Sequence, residues 1–103
     1  MKINVRGSIP VVFFKEDNSF IAHCPVLELS TCGATFDEAA AAFDEVLNIF
    51  FEECAERGTL DEVLQSCGWK IKKTNSQRNI TPPLFVGQRQ VSLSIPPLEE
   101  CPA

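Results

Sequence analysis

Hydrophobic and polar positions along the chain change period several times, and each change marks an element. Residues 9–16 (IPVVFFKE) are rich in β-branched and aromatic side chains and follow Gly7-Ser8. They stop at Asp17-Asn18-Ser19, residue types that reverse a chain because they tolerate left-handed backbone or bond their own main chain. A second apolar run, Phe20-Ile21-Ala22-His23-Cys24, follows at once and predicts a hairpin. Pro25 has no N–H to offer a ladder, so the second strand should end there. Residues 29–32 are short and strand-like, and extend the hairpin into a meander before Gly33.

The period then shifts from two to that of a helix. Thr35 is placed as an N-cap, with Asp37 and Glu38 in the first turn, where carboxylates suit the positive end of the helix. Glu38 lies three residues after Thr35, the capping-box spacing in which the carboxylate returns to the cap amide. A helix from Phe36 to Arg57, with Gly58 as its left-handed stop, would be about 33 Å long. Phe36, Ala39, Ala40, Phe43, Val46, Leu47, Phe50, Phe51 and Cys54 fall on one side of it. Asp37, Asp44, Glu45, Asn48, Glu52 and Glu56 fall on the other, and Ile49 lies outside the apolar stripe. Four phenylalanines in one stripe need an apolar surface to cover them, and the meander offers one.

Thr59-Leu60-Asp61-Glu62 starts a second, shorter helix with another cap and acidic turn, ending at Gly68. Trp69-Lys70-Ile71-Lys72-Lys73 alternates apolar and basic residues, as an edge strand with one wet face does. The expected fold is α+β: a three- to four-stranded antiparallel sheet with one long helix on one face, in the order β-β-β-α-α-β. Residues 1–73 would form this domain, and 74–103 an extension. Residues 74–83 (TNSQRNITPP) read as a linker, and 88–95 (QRQVSLSI) alternate well enough for one further strand. Five of the seven prolines lie in the extension, which argues against any helix there.

Charge sharpens this division. The 103 residues carry a net −5, but residues 1–69 hold 4 basic and 12 acidic side chains, and 70–103 hold 5 and 2. An acidic chain is a poor general binder of nucleic acid, since neutralising phosphates takes a surplus of Lys and Arg. The opening MKINVRGSIP has no apolar core of a leader peptide, and no apolar run is long enough to span a bilayer. Five cysteines, at 24, 32, 54, 67 and 101, show no paired spacing and are expected as reduced thiols. The expected location is the cytoplasm.

Candidate chemistry is sparse. The one histidine, His23, is next to Cys24, and neighbours on a strand point to opposite faces, so the two cannot act as a Cys–His pair there. There is no Tyr, no glycine-rich phosphate loop and no metal-ligand spacing such as HxxxH. No catalytic residue, cofactor or metal is expected, and the chain reads as a non-enzyme. The alternatives are a ligand-binding or thiol-dependent enzyme domain working through Cys24 or Cys32, and a nucleic-acid accessory protein. The second would use the basic cluster Lys70, Lys72, Lys73 and Arg78.

Two stretches carry a resemblance. Pro10-Val11-Val12 with Ser19-Phe20-Ile21-Ala22-His23-Cys24-Pro25 is similar to the strand pair of the HicB antitoxin family, whose second strand reads G-aromatic-apolar-A-x-C-P. Cys32-Gly33-Ala34-Thr35-Phe36-Asp37-Glu38-Ala39 resembles that family's x-G-x-T-x-E-E-A entry into its long helix. The likeness covers roughly residues 9–70. It departs after Cys24-Pro25, where the family has Asp and Leu-Pro-Gly and this chain has Val26-Leu27-Glu28-Leu29.

The resemblance implies a partial RNase H-like fold without catalytic acids. It also implies an antitoxin that binds and neutralises a small, basic, RNA-cleaving HicA-like toxin. An acidic surface suits that task, because opposite charges speed encounter. The expected contact residues are Asp44, Glu45, Asn48 and Glu52 on the helix back, together with the sheet edge. Many family members add a DNA-binding domain, for which residues 74–103 are too short and proline-rich, so no sequence-specific DNA binding is expected from this chain alone. Self-association into a homodimer or larger homo-oligomer is expected as well. It would occupy Ile49 and the 84–86 apolar residues, with 88–95 adding to a neighbour's sheet edge.

Overall fold

The computed structural model describes residues 2–5 and 7–97. Eight elements follow in order: β1 (Lys2–Val5), β2 (Val12–Glu16), β3 (Ser19–Cys24), β4 (Leu29–Gly33), α1 (Phe36–Arg57), α2 (Leu60–Ser66), β5 (Lys70–Lys73) and β6 (Gln77–Thr81). From β2 to β5 this is the α+β order that the sequence predicts.

β2, β3 and β4 form the antiparallel meander, in that spatial order. β2 is shorter than the expected 9–16 and begins only after Pro10, which cannot donate to a ladder. Asp17 makes the first turn at φ +52°, a conformation that Asp tolerates. Register settles which side chains share a face. Phe13, Ala22 and Thr31 are aligned across the sheet, as are Lys15, Phe20 and Gly33. This inner face meets α1, where Ala22 and Cys24 are buried together with Ala39 and Phe43. The opposite face aligns Val12 with His23 and Ser30, and Phe14 with Ile21 and Cys32.

Helix α1 has the limits its capping residues predict. Thr35 Oγ1 accepts from the Glu38 amide at 3.1 Å, and Gly58 closes the other end at φ +69°. The Glu38 carboxylate returns one residue earlier than the capping box expects, accepting from the Ala34 amide at 3.0 Å. The stripe is only partly covered. Ala39, Phe43 and Cys54 are buried and Leu47, Phe50 and Phe51 half-buried, whereas Phe36 is exposed at the sheet end, stacked on Phe13 with centroids 4.2 Å apart. Thr59 gives α2 no side-chain cap. Its carbonyl instead accepts from the Val63 amide.

Gly33 explains why a glycine precedes this helix. A Cβ there would lie 2.6 Å from the Ala39 nitrogen and 2.8 Å from the Glu38 carbonyl carbon, both backbone atoms that cannot swing away. Strand and helix therefore meet backbone to backbone, and Thr31 Oγ1 donates to the Ala39 carbonyl at 3.1 Å beside the contact.

The largest departures from expectation lie after Gly68. β5 does not join the meander as a fourth strand. It pairs with β6, which in turn pairs in parallel with β1, giving a second three-stranded sheet. Thus 74–83 is no linker: its first residues make a tight turn in which the Thr74 hydroxyl and amide both bond Gln77, and the rest supply β6. One face of this hairpin aligns Ile71 with buried Ile80. Residues 88–95 form no strand. They lie in an exposed tail over 84–97, and nothing among the described residues pairs with them.

The two sheets meet through Trp69, buried with Leu27, Leu64 and Ile80. Its indole N–H donates to the Val26 carbonyl at 2.9 Å, across 43 positions of sequence. Val26 belongs to the loop 25–28, where the departure from Leu-Pro-Gly falls. That loop closes through the Leu27 amide on the Cys24 carbonyl, and Glu28 adopts φ +55°, a conformation that glycine accepts more readily.

Two stability changes follow. Gly33→Ala should cost about 1–3 kcal/mol, as forced overpacking does, measured by urea unfolding. Glu28→Gly should raise stability by up to about 1 kcal/mol, because the left-handed penalty removed exceeds the chain entropy that glycine adds; a lower unfolding midpoint would refute this.

Candidate interaction surface

The four residues expected to touch a partner come from the middle of α1. Asp44, Asn48 and Glu52 are spaced i, i+4, i+8, and Glu45 adjoins Asn48 at i+3, so the four share one ridge. All four are exposed. None takes part in an ion pair among the described residues, where the ion pairs are those of Lys73 and Arg78 with Asp61. The ridge is therefore three carboxylates and one amide, open to an incoming cation. Ile49 stands beside it, 46% exposed, as the helical pattern predicts.

The same ion pairs change the reading of the basic cluster. Lys73 Nζ lies 3.1 Å from the Asp61 carboxylate, and the Arg78 guanidinium contacts the other oxygen of that carboxylate. These two cations hold α2 against the β5–β6 hairpin. Lys70 and Lys72 remain exposed on the opposite face of β5, aligned with Thr81 and Asn79 of β6. Two separated lysines offer less charge than the four that the sequence groups together.

His23 and Cys24 part as strand geometry requires: Cys24 is buried under α1, and His23 is half-buried on the outer face. The partner of His23 is Ser30, directly opposite on β4, with Nδ1 and Oγ sharing a 2.6 Å hydrogen bond. The sequence reading missed this pair, though a signal was present. Strands that end at Cys24 and begin at Leu29 around one tight loop place residues 23 and 30 opposite each other.

Burial pushes the Cys24 thiol up, and hydrogen bonds from the Val26 and Leu27 backbone offset only part of that. Cys54 is also buried, Cys67 half-buried and Cys32 exposed, all as free thiols, while Cys101 lies outside the described residues. No cluster of His, Cys, Asp or Glu among the described residues could hold a metal ion, and no helix there is long and apolar enough to cross a membrane.

A thiol that is buried and protonated is a poor nucleophile. With an alkylating probe on the native protein, Cys32 should label first and Cys24 only on unfolding, read by peptide mass. Fast native labelling of Cys24 would revive it as a working thiol. No protein-family model, no curated protein and no solved structure matches the chain.

Proposed function

We propose that this chain is a non-catalytic, HicB-like antitoxin that acts in the cytoplasm by binding and neutralising a small, basic, RNA-cleaving toxin of the HicA kind. The observation that carries the reading is the open ridge along α1, with the carboxylates of Asp44, Glu45 and Glu52 and the amide of Asn48. Long-range attraction between such a ridge and a basic partner raises the encounter rate, and close pairing then discriminates against acidic partners.

Local structure at the resembling residues supports it. Gly33, Thr35 and Glu38 each have a physical task at the entry to α1: the first admits the helix backbone, the second caps it, the third closes the turn. Cys24-Pro25 ends β3 under the helix in the same way. The resemblance thus rests on residues that build one junction, and that junction sets the orientation of the acidic ridge.

The test is co-expression with the product of the gene beside this chain's own, where that gene encodes a short basic protein. The two should co-purify, and growth arrest by the basic protein should be relieved. Reversing charge with Asp44→Lys and Glu52→Lys together should weaken the complex at least tenfold, a loss of about 1.4 kcal/mol, and should flatten its dependence on salt. Absence of any complex with the unaltered chain would end the antitoxin reading. Unchanged affinity in the charge-reversed chain would remove α1 from the interface.

A further inference from the structure

We infer that two copies of this chain exchange their C-terminal tails, each laying residues 91–95 along the free edge of β2 in the other. The inference is independent of toxin binding. It starts from a contrast within the tail. Its root is fixed: Pro82 is buried beside Gly7, and Pro83 is half-buried beside Gly68. Everything from residue 84 to residue 97 is exposed, although it carries the apolar side chains of a core strand. Val91, Leu93 and Ile95 alternate with Ser92 and Ser94 and are 63%, 87% and 76% exposed. A period of two with nothing covering it belongs to a strand whose sheet lies elsewhere.

The chain also carries the matching vacancy. β2 is the outer strand of its sheet and pairs only with β3 among the described residues. It is five residues long, the length of 91–95. Its outer face presents Val12 and Phe14 next to Ile21, with Phe14 59% exposed. An added strand would therefore gain both a backbone ladder and an apolar neighbour row, the combination that drives strand addition at sheet edges.

Geometry selects a second copy as the donor. The tail's own residues 85 and 87–90 already flank a groove with Pro10–Phe14, yet they make no ladder there, and 91–97 are exposed and belong to no strand among the described residues. The radius of gyration is 18.2 Å with a long axis of 63 Å, against about 13 Å expected for a closed domain of this length. The tail thus reaches the edge of its own sheet without pairing there, and its strand pattern is left for another edge.

Charge points the same way. The folded part, residues 1–83, holds 8 basic and 12 acidic side chains, a net −4, so two bodies repel. Residues 84–97 carry a single charge, Arg89, and a contact made through them brings no like charges together. Because each copy holds one tail and one edge, reciprocal exchange closes the assembly at two.

The experiment is sedimentation and light scattering on the full chain in reductant, across a dilution series, with hydrogen exchange read on the same samples. The unaltered chain should have twice the monomer mass, dissociating on dilution, with amides of 91–95 protected only in the dimer. Leu93→Lys in the tail and Phe14→Lys at the edge should each halve the mass without altering the circular dichroism, and should partly recover a dimer when mixed. A monomer at every concentration would overturn the inference. So would a dimer that survives Leu93→Lys, or protection of 91–95 that does not depend on concentration, the mark of a tail on its own edge.

Discussion

The hydrogen bond from the Trp69 indole to the Val26 carbonyl is the constraint on which the two halves of this molecule depend. The meander and α1 can close one core between them, but α2 and the second sheet need an anchor. Trp69 supplies it by joining the buried core that also holds Leu27, Leu64 and Ile80, while its one polar side-chain atom finds a carbonyl in the loop after β3. A buried indole without such a partner would bear the cost of a lost hydrogen bond. The loop is shaped to meet it, and the left-handed Glu28 is part of that shape. The strain at Glu28 and the joining of the sheets are thus parts of one arrangement.

The acidic ridge stands at the far side of the same construction. Its direction is set by α1, whose roll about its axis is fixed where Gly33 lets the helix backbone touch β4. Asp61 shows what becomes of a carboxylate that has cations within reach: it holds Lys73 and Arg78 and joins two elements. Asp44, Glu45 and Glu52 are exposed and form no ion pair among the described residues, so their charge is directed outward. One kind of side chain serves cohesion in α2 and a surface field in α1, and the difference lies in what each faces.

Legibility in the sequence followed the range of the interactions. α1 could be bounded from Thr35, Glu38 and Gly58 because capping is settled within a few residues. The meander could be placed because its strands are consecutive and rich in β-branched and aromatic side chains. The second sheet could not. β6 has one buried apolar residue, Ile80, and reads as polar linker; β1 is stabilised by a partner far along the chain. Likewise the row 44, 45, 48 and 52 was legible from helical spacing alone, whereas the pairing of Lys73 and Arg78 with Asp61 depended on a fold of α2 against a hairpin not foreseen. The tail showed the converse problem. Its alternation is that of a strand, but periodicity records what a segment can pair with and not whether the partner is in the same chain.

The parallel pairing of β1 with β6 has a kinetic consequence. Lys2 is matched with Gln77, so an early strand must wait for one of the latest before its ladder can form. Closing so long a loop is slow, because its entropy is lost before the contacts that offset it are made. On a ribosome the meander and α1 would be complete while β1 still had no partner. The second sheet would then be the last part to assemble and the first to open, which makes the Trp69 side of the molecule the natural place for its unfolding to begin.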